Sequence, residues 1–222
     1  MGFAGLIAAV LVISAVSTRT AAQGAGTTAP PFNVLFIGNS HLFVNNVPQR
    51  VRQHLRAGRE PIRIQTFARG GAQLSGFTHR ADVAAALKSR AWDVVVLQEA
   101  SATFLSPGGD RRFGQSVGWF RRRLGSNVRI VLYQTWPWRD GSRYFVGRAS
   151  NTRHMWQAMR RAYATVARQP RVTIAPVGTC WMRSPKRAAL YSADGNHASV
   201  AGSQLAARII AATIARNAPA KC

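Results

Sequence analysis

Apolar and polar positions come in blocks along this chain. Five runs of strand length, residues 33–37, 62–67, 93–98, 128–134 and 172–177, are rich in Val and Ile and mostly unbroken. A strand that reads as continuously apolar is one buried on both faces. Between these runs lie stretches with helical spacing. In residues 47–58 the apolar side chains of Val47, Val51 and Leu55 fall four apart, and Gly58 is placed to end the helix. Residues 80–90, 111–125 and 152–168 fill the next gaps. A last helix over 199–216 has Ser199 at its N-cap position. Strand alternating with helix predicts an α/β fold, a three-layer α/β/α sandwich around a five-stranded parallel sheet. There is no internal repeat and no second apolar core, so one domain over residues 32–222 is expected.

In such sheets ligands bind beyond the carboxyl ends of the strands. The first run ends at Gly38-Asn39-Ser40, the second leads into Arg69-Gly70-Gly71-Ala72, and the third ends on Gln98. The fourth runs into Tyr133-Gln134-Thr135-Trp136-Pro137-Trp138, and Asp194-Gly195-Asn196-His197 precedes the last helix. A serine hydroxyl becomes a nucleophile when a base takes its proton, and histidine oriented by a carboxylate is the usual base. An acyl-transfer transition state also needs donors aimed at its oxyanion. Ser40, His197 and Asp194 fit the first requirement. The Ser40 and Gly71 amides (Gly70 being the alternative to Gly71) and the Gln98 carboxamide fit the second. Trp136, Trp138 and His41, all at this edge, are candidate substrate contacts, the indoles for stacking on sugar rings. Glu99, Asp93, His54, His79 and His154 receive no catalytic role. No Cys/His cluster or other ligand spacing points to a metal, and the glycine pair lacks the pattern of a phosphate loop, so no cofactor is expected.

Composition adds three things. The apolar stretch over residues 3–16, followed by small residues, is too short for a comfortable span and suits a signal peptide over residues 1–22. A linker over 23–31 follows. An uncleaved anchor is the alternative, because the leader has no Lys or Arg before its apolar stretch. The expectation is export to the periplasm or the exterior, with no stable membrane insertion once the leader is cleaved. In an oxidising compartment, Cys180 and Cys222 are an even pair open to disulfide formation. Finally, 30 Lys and Arg against 7 Asp and Glu give a net charge of +23, which favours anionic partners. The arginines are scattered and no nucleic-acid-binding motif accompanies them, so no specific nucleic acid is expected.

The four blocks, Phe36-Ile37-Gly38-Asn39-Ser40, Arg69-Gly70-Gly71-Ala72-Gln73-Leu74, the amide of Gln98 and Asp194-Gly195-Asn196-His197, stand in the order of the SGNH (GDSL-like) hydrolase superfamily, which the chain resembles over residues 33 to about 216. The resemblance implies a flavodoxin-like fold with Ser40 as nucleophile, His197 as base and Asp194 as its orienting acid. Two departures stand out. The first block has Asn39 where many members have Asp, and Gln98 stands where Asn is usual, which resembles a carbohydrate-esterase-like branch. The implied function is an exported serine esterase acting on short acyl esters, acetyl foremost, of a small molecule or a carbohydrate, with an anionic polymer as a further expectation from the charge. The alternatives are a lipase or thioesterase of the same superfamily, or a non-catalytic cationic protein that binds polysaccharide or nucleic acid.

Overall fold

The structure is a computed structural model that describes residues 1, 30–55, 61–148, 150–216 and 218–222. The expected leader and most of the linker, as well as Gly58, lie outside the described residues. Five parallel strands, β1 (Phe32–Gly38), β2 (Ile62–Ala68), β3 (Val94–Leu97), β4 (Arg129–Tyr133) and β5 (Val172–Ala175), form one sheet in the order β2-β1-β3-β4-β5. All four neighbouring pairs are parallel. The helices are α1 (Ser40–Phe43), α2 (Val47–Leu55), α3 (Leu74–Phe77), α4 (Ala81–Ser89), α5 (Gly109–Arg123), α6 (Thr152–Val166), α7 (Val177–Arg183), α8 (Arg187–Leu190) and α9 (Val200–Arg216).

The unbroken apolar strands are explained by burial on both faces. In β1, Val34 and Phe36 enter one core and Leu35 and Ile37 the other. Strand β3 repeats this, with Val94 and Val96 on the first side and Val95 and Leu97 on the second. Helices α2 and α9 cover the first face, and α3, α4, α5 and α6 the second. Each large side chain removed from water contributes about 1.5–3 kcal/mol, so this double burial dominates the stability of the sheet. Ser199 caps α9, its hydroxyl accepting from the Gly202 N–H at 3.2 Å. Cys180 of α7 and Cys222 form a disulfide that ties the last residue to the first core. No helix among the described residues is long and apolar enough to cross a membrane.

The strand order places a reversal at β1. The chain leaves β1 to pair β2 on one side and returns through α4 to pair β3 on the other. Loops on the two sides of such a reversal part and leave a crevice at the carboxyl end of the strand. Ser40 stands in that crevice.

Candidate active site

Ser40 is the first residue of α1, directly after β1. Asn39 caps this short helix, its side-chain oxygen accepting from the His41 N–H at 3.2 Å. As a first helical residue, Ser40 has a backbone N–H with no partner inside the helix. Its hydroxyl lies 2.8 Å from His197 Nε2, and His197 Nδ1 lies 2.6 Å from Asp194 Oδ2. The strand end and the loop before α9, 157 residues apart in sequence, thus meet in one hydrogen-bonded line.

The second carboxylate oxygen of Asp194 holds the loop itself. It accepts from the Ser192 hydroxyl at 2.8 Å and from the Asn196 and His197 N–H groups, both at 2.9 Å. Partial burial pushes the Asp194 carboxyl up. The bonds from Asn196, His197 and Ser192 outweigh that and hold it well below the usual carboxylate range. Asp194 is therefore charged at neutral pH, as a group that stabilises a neighbouring imidazolium must be. Further support comes from Trp136, whose indole N–H donates to Asn196 O at 2.9 Å, and from Ser142, whose hydroxyl donates to Asp194 O at 3.2 Å.

The glycine loop is fastened beside Ser40 at three points. The Arg69 N–H donates to Gly38 O at 3.3 Å, and the Asn39 side-chain amide donates to Ala72 O at 2.9 Å. The Leu74 N–H is shared between the two carboxylate oxygens of Glu99, at 3.3 Å each. Gly71 has φ +67°, a left-handed conformation that glycine adopts without penalty. Among the described residues the Gly70 and Gly71 N–H groups have no intramolecular acceptor, so both remain available to a ligand oxygen.

Three sequence expectations are corrected here. Gln98 is fully buried, its Oε1 accepting from the Asn39 N–H at 2.7 Å and its Nε2 donating to Glu99 O at 2.7 Å. Its carboxamide lies under Gly38, so close that a Cβ on Gly38 would collide with Oε1. It fixes the turn that carries Ser40 and does not present a donor to the crevice. Trp136 and Trp138 are buried as well. Trp136 stacks on Trp181 with ring centroids 3.7 Å apart, and Trp138 packs against Phe145 and Tyr144. Neither offers a face to a sugar. His41 is also buried, edge-on to Trp136 at 5.0 Å and 5.4 Å from the His197 ring. Burial first, and then the neighbouring His197, push its pKa down to about 3, so it braces His197 as a neutral ring.

Two residues without an assigned role prove to be supports. Asn is a common helix-cap residue type, but the bond from Asn39 to Ala72 joins loops 33 residues apart, which no local pattern shows. Glu99 carries a buried carboxylate that also accepts from the Ala100 N–H at 2.7 Å and the Thr103 hydroxyl at 2.9 Å. Desolvation raises its pKa to about 7 against the pull of those bonds. No local pattern distinguishes it from a surface glutamate.

Among solved structures, this chain is similar to a protein of Slackia heliotrinireducens assigned to the SGNH hydrolases. The two share 30% identity with a TM-score of 0.74, over 82% of this chain and 98% of the other. The chain belongs to the SGNH hydrolases. A DUF4886-family protein from Bacteroides uniformis (20% identity, TM-score 0.69, 84% of each chain) has the same fold as this hydrolase. So does a catalytic mutant of an acetylxylan esterase from Geobacillus stearothermophilus (14% identity, TM-score 0.62, 82% of this chain and 94% of the other). No protein-family model and no curated protein sequence matches the hydrolase.

Proposed function

We propose that this SGNH hydrolase is an exported serine esterase in which Ser40 is the nucleophile, His197 the general base and Asp194 the group that orients and stabilises His197. The line of bonds from Ser40 Oγ through the imidazole to Asp194 carries the reading. His197 Nε2 takes the hydroxyl proton as Ser40 Oγ attacks the ester carbonyl. The oxyanion is received by the Ser40 N–H and a glycine-loop N–H, Gly71 foremost with Gly70 as the alternative. The protonated His197 then gives its proton to the departing alcohol. Water, deprotonated by the same imidazole, attacks the acyl-enzyme and restores Ser40. A donor lost from such a hole costs about 10²–10³ in kcat.

A short acyl group, acetyl foremost, on a carbohydrate is the preferred substrate, in keeping with the acetylxylan esterase among the fold relatives. A second reading, a lipase- or thioesterase-like preference for longer chains, is favoured by exposed apolar side chains three positions after each reacting residue. These are Phe43, 51% exposed, and Val200, 61% exposed. Export is supported by the apolar leader and by the Cys180–Cys222 disulfide, a bond uncommon in reducing compartments. Hydrolysis of p-nitrophenyl esters of increasing chain length tests the proposal. Wild type is expected to act best on acetate, and Ser40→Ala to lose activity on every chain length. Equal rates in wild type and Ser40→Ala contradict the esterase reading, whereas a wild-type optimum on long chains replaces acetyl with the second reading.

A further inference from the structure

The loop after β4 and helices α6 to α8 enclose an open cleft beside the Asp194 loop. The cleft, about 640 Å³, is lined by Trp156, Arg153, Arg187 and Asp140 among others. A second pocket of about 280 Å³ lies on Arg187 as well and is lined by Arg139 and Tyr191. Together they offer three guanidinium groups against the one carboxylate of Asp140, and among the described residues none of the three has a salt-bridge partner. The second pocket borders the Asp194 loop through Arg139. The Arg139 guanidinium donates to Ala193 O at 3.1 Å, and the Arg139 N–H donates to Gly195 O at 2.8 Å, on either side of Asp194.

Trp156 is half-buried, unlike the two indoles that the sequence singles out. One edge lies so near Gly178 that a Cβ there would press on the ring, which fixes the indole while part of it stays open to the cleft. An indole plane that shares a cleft with Arg153 and Arg187 sets two chemical requirements for a ligand. The plane takes an apolar C–H face, and the guanidinium forks take carboxylates in paired hydrogen bonds. A uronic acid residue in a polysaccharide has both, a C–H face on the ring and a carboxylate at its edge. Duplex nucleic acid meets the charge requirement alone, because its base faces are already stacked on one another, and its phosphates are not carboxylates.

We propose that this cleft is a subsite for an acidic sugar, so that the esterase acts on acyl groups of an anionic, uronate-containing polysaccharide. The inference rests on the esterase reading, and it gives that reading a substrate class. Trp156 stacks on one sugar ring, Arg153 and Arg187 hold its carboxylate, and the chain continues past Ala193 toward Ser40.

The test separates binding from catalysis. Oligogalacturonate binding to the full-length protein is followed by calorimetry, alongside a neutral xylo-oligosaccharide and a duplex DNA of equal charge. Trp156→Ala is expected to weaken oligogalacturonate binding about tenfold, the scale of a lost ring contact. Arg153→Ser and Arg187→Ser are each expected to weaken it about fivefold, with less effect at high salt, where surface charges are screened. In parallel, kcat/KM on acetylated polygalacturonate should fall in these variants while p-nitrophenyl acetate hydrolysis is unchanged. Oligogalacturonate binding that is absent, that equals the neutral oligosaccharide's, or that survives all three substitutions overturns the proposal. DNA binding as tight as oligogalacturonate, lost in the same variants, overturns it too, because the cleft is then a general polyanion surface. If wild type fails to cleave p-nitrophenyl acetate, the esterase reading falls, and the binding measurements still decide the cleft.

Discussion

Glu99→Gln isolates the cost of a buried charge at the anchor of the glycine loop. Desolvation raises the Glu99 pKa from an ordinary 4.5 to about 7, so the folded protein keeps this carboxyl protonated below pH 7. A displacement of that size corresponds to about 3 kcal/mol. The sign follows from proton uptake. Between pH 4.5 and 7 the folded protein keeps a proton that the unfolded chain has lost, so stability is full below 4.5 and declines as pH rises through 7. Gln keeps one oxygen for the Leu74, Ala100 and Thr103 donors and does not titrate. Urea unfolding at several pH values should therefore show the stability of Glu99→Gln minus that of wild type rising by about 3 kcal/mol from pH 4.5 to 8. His41 acts in the opposite direction. Its lowered pKa adds stability as pH rises through its unfolded value, but it is common to both proteins and cancels in the difference. Asp194, with its pKa held below the usual range, loses its contribution only at lower pH. A difference that stays flat across this interval refutes the raised pKa of Glu99.

Other substitutions separate structural from chemical roles. Trp136→Ala should destabilise the fold by about 3–5 kcal/mol in chemical denaturation, because the ring is buried on Trp181, and a stable variant with weakened sugar binding contradicts that. Cys222→Ser opens a 42-residue loop and should cost about 4 kcal/mol of stability with esterase activity at 25 °C unchanged. Asp194→Asn keeps the shape of the loop but loses the charge that stabilises the imidazolium, and steady-state kinetics should show kcat reduced on the order of 10³–10⁴-fold.

How far the sequence reaches depends on whether a feature is local. Strands β1, β3 and β4 are legible because burial on both faces leaves nearly unbroken apolar runs, and the edge strand β2 because Ile62, Ile64 and Phe67 still stand out among its polar positions. The long helices are legible from the spacing of their apolar positions. Helices α1, α3, α7 and α8 are too short to show a period and escape notice. Ser40, Asp194 and His197 stand out because each sits in a distinctive short block. The failures share one cause. Trp136 and Trp138 lie on a loop after β4, where an exposed ring and one packed beneath another loop read alike. Gln98 stands at a strand tip in sequence, and only the close approach of Gly38 shows that its carboxamide lies beneath the turn. Trp156 looks like one more apolar position of α6 until the cleft beside it is seen.

The central claim is that Ser40, activated by His197, is the nucleophile. Treatment with a fluorophosphonate followed by peptide mass mapping tests it most directly, because only an activated serine is phosphonylated rapidly. One adduct is expected, on the peptide containing Ser40, strongly reduced in His197→Ala. An unmodified Ser40, or an adduct on another residue, contradicts it.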